Sequence, residues 1–139
     1  MKSLFMETTR INPEQTVGEI QRVLGLYGAA AIRTDYENGE VIGVSFLVRV
    51  NGQEIPFRLP CRWEMIFKYF RNRRKRKHSI RLEEEDQRQA KRVAWRQILR
   101  CINAHKKELT KKRIEQIVSL KMKYSTILII FVLTAIGIK

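Results

Sequence analysis

The chain has 139 residues, 44% of them hydrophobic and 30% charged, and carries a formal net charge of +14. That apolar fraction supports a core and excludes a wholly disordered chain, while the length suits one small domain with an appendage. The charge is unevenly divided: residues 1–61 hold six Lys/Arg against seven Asp/Glu, and residues 62–139 hold 22 against seven. A balance of that kind attracts polyanions, either nucleic acid or an anionic membrane face.

Met1–Ile11 reads as a short polar lead, and Met1–Arg10 lacks the apolar run of a secretory signal peptide, so a cytoplasmic location is expected. Asn12-Pro13-Glu14-Gln15 then reads as a helix start. Asn12 can cap, and Pro13 suits the first turn because its missing N–H would have no partner there. Val17, Ile20, Val23, Leu24 and Tyr27 form one apolar face at helical spacing, and Gly28 can end the helix in a left-handed conformation.

Three strand-like runs follow. In Val41–Val50 the residues Ile42, Val44, Phe46, Val48 and Val50 alternate onto one side; in Gln53–Leu59 so do Ile55, Phe57 and Leu59. Asn51-Gly52 between them is a two-residue hairpin signal, which pairs Phe46 with Phe57 and Arg49 with Glu54. For the first hairpin, a two-residue loop at Asn38-Gly39 would set Asp35 opposite Ile42 on the core face. A three-residue loop, Glu37-Asn38-Gly39, pairs Thr34 with Ile42 and Ile32 with Val44, and is the expected form. Pro56 falls in the outward register of the last strand, which marks an edge.

Helices complete the chain. Trp63, Ile66, Phe67 and Phe70 form an amphipathic stripe, expected to pack with the first helix on one face of the sheet. The basic run Arg71–Lys77 follows, then a helix over Leu82–Lys107 with acids in its first turns and bases at its end, as the helix dipole favours. From Glu108 a Lys-rich amphipathic stretch leads into the apolar segment Tyr124–Ile138. The expected fold is therefore α+β: an N-terminal helix, a three-stranded antiparallel meander and a basic helical C-terminal half. The expected divisions are an α+β domain over 1–70, a basic linker over 71–81, basic amphipathic helices over 82–123 and the apolar segment over 124–139.

No catalytic constellation emerges. There is no Gly-rich phosphate loop, no GxSxG and no HExxH, and His78 and His105 stand alone, each without an obvious orienting carboxylate. Cys61 and Cys101 lack zinc-ligand spacing and read as reduced, partly buried thiols. Asp35, Glu37 and Glu40 crowd a hairpin tip, where wet acidic residues are ordinary. No enzyme activity, cofactor or metal is expected.

The binding candidates are cationic. Arg71, Arg73, Arg74, Lys75, Arg76 and Lys77 form a cluster suited to neutralising phosphates without reading sequence. Arg88, Arg92, Arg96 and Arg100 recur every four residues, tracking along roughly 18 Å of helix, a row that can follow a phosphate backbone. Arg33, Arg49 and Arg58 fall on the outer sheet face. The expected function is sequence-nonspecific binding of nucleic acid, DNA or RNA. The alternatives are a membrane-associated protein, with Lys106–Lys123 on the lipid surface and Tyr124–Ile138 inserted, or a protein–protein adaptor using the helix around Trp95. The apolar segment of about 22 Å is short for a bilayer core of about 30 Å, though flanking lysines can extend it.

The run Thr8-Thr9-Arg10-Ile11-Asn12-Pro13-Glu14, then Thr16-Val17-Gly18-Glu19-Ile20, Gly28-Ala29, Val44-Ser45-Phe46, Ile55-Pro56-Phe57-Arg58-Leu59-Pro60 and Arg92-Val93-Ala94-Trp95-Arg96 resembles a family of short, uncharacterised proteins of bacteriophages and bacterial mobile elements. The resemblance covers roughly Thr8–Asn103. It implies a phage or prophage setting and no catalytic residues. After about Ala104 the chain departs from that pattern, which ends in a more acidic amphipathic segment. The order helix, meander, helix also resembles double-stranded-RNA-binding domains in topology, but Glu37-Asn38-Gly39 and Cys61-Arg62-Trp63 do not match their RNA-binding motifs.

Overall fold

The computed structural model describes residues 3–73 and 79–104. The described elements run α1 (Pro13–Leu26), β1 (Ala29–Glu37), β2 (Glu40–Val50), β3 (Gln53–Pro60), α2 (Trp63–Arg73) and α3 (Ile80–Ala104), an α+β layout. Asn12 precedes α1 in extended conformation, but its side chain makes no capping hydrogen bond, contrary to expectation; Pro13 alone marks the start. Thr16, Val17, Ile20 and Leu24 bury the inner face of α1, and Gly28 turns the chain at φ +98°.

The sheet is antiparallel in the order β1-β2-β3. The β2–β3 register is the expected one: Phe46 opposes Phe57, Val48 opposes Ile55 and Arg49 opposes Glu54. The first hairpin differs. Glu37 pairs with Glu40, so the loop is the two residues Asn38-Gly39, at φ +51° and +78°. Two consecutive positive φ values make the mirror-image turn whose twist suits flanking strands. The predicted conflict is removed by a bulge at Ile42, which leaves Asp35 opposite Gly43, Thr34 opposite Val44 and Ile32 opposite Phe46. One extra residue on β2 thus returns the charge to the outer face. Val41 takes the core position expected of Ile42.

Asn51-Gly52 repeats the same turn, with Gly52 at φ +78° and open space around its missing Cβ. The cost of a side chain there is therefore purely conformational. Gly52→Ala should lower stability by roughly 1–2 kcal/mol, read by urea denaturation, with the register unchanged.

One hydrophobic cluster joins Val17, Ile20 and Leu24 of α1, the inner face of the sheet, and Trp95, Ile98, Leu99, Cys101 and Ile102 of α3. The second helix on the sheet is thus α3. The stripe of α2 packs on α3, and none of its residues joins that cluster, which corrects the expectation that α2 covers the sheet. Trp95 is 0% exposed and anchors the core, so it offers no surface to a protein partner.

The N-terminal lead is a strap across α3. Gln89 Nε2 donates to the carbonyls of Glu7 and Thr9, both at 2.9 Å, and Gln97 Nε2 donates to that of Phe5 at 2.7 Å. The Arg100 guanidinium lies over the Phe5 ring at 4.4 Å.

Candidate nucleic-acid interface

Among the described residues, several exposed cations stand at the end of α2 and the start of α3. The last turn of α2 carries Arg71 and Arg73, both exposed, with Lys68 exposed one turn earlier. α3 begins after Ser79, whose Oγ accepts from the Leu82 N–H at 3.3 Å. Arg81 follows at once, with 88% of its side chain exposed. From Met65 to Leu82 the sequence holds eight Lys/Arg and no acid. Arg74, Lys75, Arg76 and Lys77 lie outside the described residues.

The two described arginines of the basic run are held by neighbours. Arg71 packs over Phe67, 5.8 Å from the ring centroid, and pairs with Glu83 at 3.7 Å. Arg73 lies over Tyr69 at 5.6 Å, donates to the Tyr69 hydroxyl at 3.2 Å and pairs with Glu7 of the strap. The hydroxyl and then the Glu7 charge hold its guanidinium more firmly protonated. These ion pairs are exposed and contribute little to stability; a phosphate can replace the carboxylate.

The helical row does not form one open basic face. Arg88 is exposed. Arg92 is half-buried and donates to Gln89 Oε1 at 3.2 Å. Arg96, with 16% of its side chain exposed, pairs with Glu19 of α1 at 3.1 Å. Arg100 stacks on Phe5. Arg96 thus links α3 to α1, and the strap occupies the stretch of helix from Gln89 to Arg100. On the outer sheet face, Asp35 bridges Arg33 at 2.9 Å and Arg58 at 3.7 Å, and Arg49 pairs with Glu54 at 3.1 Å. Those arginines are balanced where they stand.

The charge partition sharpens the picture. The described residues hold 15 Lys/Arg against 12 Asp/Glu, a balance of +3 out of the whole chain's +14. The described residues are nearly neutral, so most of the excess positive charge belongs to sequence outside them, chiefly Arg74–Lys77 and the stretch past Ala104. Sequence reasoning missed Lys68 and Arg81, although both flank the run without an intervening acid. It also missed Tyr69, which sits four residues before Arg73 and therefore beneath it on the helix.

The cysteines offer no nucleophile. Burial, with Glu64 adding to it, pushes the partly buried Cys61 thiol up to about 12, so it stays protonated at neutral pH; Cys101 is buried. Among the described residues no three metal-ligating side chains converge, and no helix is long and apolar enough to cross a membrane. Tyr124–Ile138 lies outside them. No protein-family model matches the chain, and no curated protein or solved structure is significantly similar to it.

Proposed function

We propose that this chain is a small accessory protein, of the phage or mobile-element kind its sequence resembles, that binds nucleic acid without reading its sequence. The observation that carries the reading is the group of exposed cations at the end of α2 and the start of α3. Lys68, Arg71, Arg73 and Arg81 stand there and flank in sequence a run of four further cations, and no carboxylate falls between Met65 and Leu82 in the chain. Binding of this kind is driven by counterion release, so log K should fall linearly with log[salt], by about 0.9 per duplex phosphate contacted. The full chain is expected to show such a slope. Neutralising Arg73, Arg74, Lys75 and Arg76 together should flatten it by up to about 3.6 units and weaken all sequences alike. Absence of binding to DNA and RNA at about 50 mM salt, where electrostatic association is strong, overturns the reading.

A second reading, association with an anionic membrane surface, is favoured by the exposed apolar Met65, Ile80 and Leu82 beside those cations. Sedimentation with vesicles containing phosphatidylserine, absent with neutral vesicles, would select it.

A further inference from the structure

We propose that the C-terminal end of α2 is a stacking platform that makes this interface prefer single-stranded nucleic acid over duplex. The inference rests on the nucleic-acid reading above. Six of the eleven residues of α2 are large apolar or aromatic side chains, yet none of the eleven is buried. Phe67, Tyr69 and Phe70 are all only partly covered, and the Tyr69 and Phe70 rings stand 6.0 Å apart at 59°. Two of the rings have a guanidinium over one face: Arg71 over Phe67 and Arg73 over Tyr69.

A cation next to a partly open ring matches a nucleotide, which carries a phosphate beside a base. In a duplex the base faces are stacked on one another and the ring has nothing to meet. In a single strand they are available, and stacking on an aromatic side chain adds to phosphate contact whatever the base. Phosphate contact alone would favour the duplex, whose charge density is higher. The aromatic end of α2 therefore decides the order of the two affinities. Tyr69 is the most informative position, because its ring lies against the arginine that takes a phosphate while its hydroxyl holds that arginine in place.

The test is fluorescence anisotropy of the full chain with labelled oligothymidylate and with a duplex of equal length, at the same salt. Oligothymidylate is expected to bind more tightly. Tyr69→Leu should weaken that binding by about tenfold, the worth of one stacked base, and weaken the duplex less, because there only the hydroxyl's hold on Arg73 is lost. Tyr69→Phe, which keeps the ring and loses the hydroxyl, should retain the preference. Thermal melting of each variant separates loss of stacking from loss of fold. Tighter binding to the duplex overturns the inference, as does an equal loss for both ligands in a folded Tyr69→Leu. Absence of binding to either ligand removes the nucleic-acid reading itself.

Discussion

A chain ending at Arg73 should not hold the sheet together: its urea titration should show no cooperative transition and its amide proton spectrum no dispersion. α3 supplies Trp95, Ile98, Leu99 and Ile102 to the cluster that covers the strands, and α2 supplies nothing to it. Burying each such side chain contributes about 1.5–3 kcal/mol, so removing four exceeds the low end of the roughly 5–15 kcal/mol that keeps small domains folded. A cooperative transition in the truncated chain would show that α1 suffices to cover the sheet. Within the full chain, Trp95→Ala should cost about 3–5 kcal/mol. Trp95→Phe should cost less, because Trp95 Nε1 has no hydrogen-bond partner among the described residues and the smaller ring leaves no donor unmatched.

Phe46→Ala should destabilise the fold by about 3–5 kcal/mol, measured by the urea midpoint at unchanged slope. Phe46 and Phe57 are 4% and 6% exposed, directly opposite across β2 and β3, with ring centroids 5.1 Å apart and planes at 15°. The ring occupies the middle of the inner face, where sheet and helices meet, and its neighbours are fixed by strand pairing, so the hole cannot close. A double-mutant cycle with Phe57→Ala should recover a coupling of about 0.5–1.5 kcal/mol. Arg49→Ala, three rungs away on the outer face, removes only an exposed pair with Glu54 and should stay within about 0.5 kcal/mol. Equal effects of Phe46→Ala and Arg49→Ala would mean that the two faces of β2 are not sorted as described.

The hairpins were legible because Asn-Gly dictates a turn locally and alternation dictates a face, so for β2–β3 two independent signals agreed. At the first hairpin they disagreed, and the conflict was resolved by inserting a residue within the strand rather than in the loop. A bulge leaves no mark in composition, whereas Asp35 on the wrong face did announce that something had to give. The α2 stripe was equally visible, but Trp63, Ile66, Phe67 and Phe70 say only that a surface is apolar, not which surface it meets. The arginine row was misleading for a related reason. Spacing shows that Arg96 lies in line with Arg92 and Arg100, yet its partner Glu19 is 77 positions away in the chain. The strap was invisible because Gln89 and Gln97 bind main-chain carbonyls, which every sequence has.

The closing of the core by α3 has a consequence for the order of events on the ribosome. Phe46, Phe57 and Val44 emerge early, but the residues that cover them come some forty to sixty positions later. Until Ile102 is free of the exit tunnel, the inner face of the sheet has only α1 against water. The strap carries this further, since Phe5 meets Gln97 across 92 positions. Contacts of such separation form late, because the intervening chain must be ordered first. The nascent chain therefore passes through a period of exposed apolar strand surface, and the first residues to be synthesised are among the last to find their place.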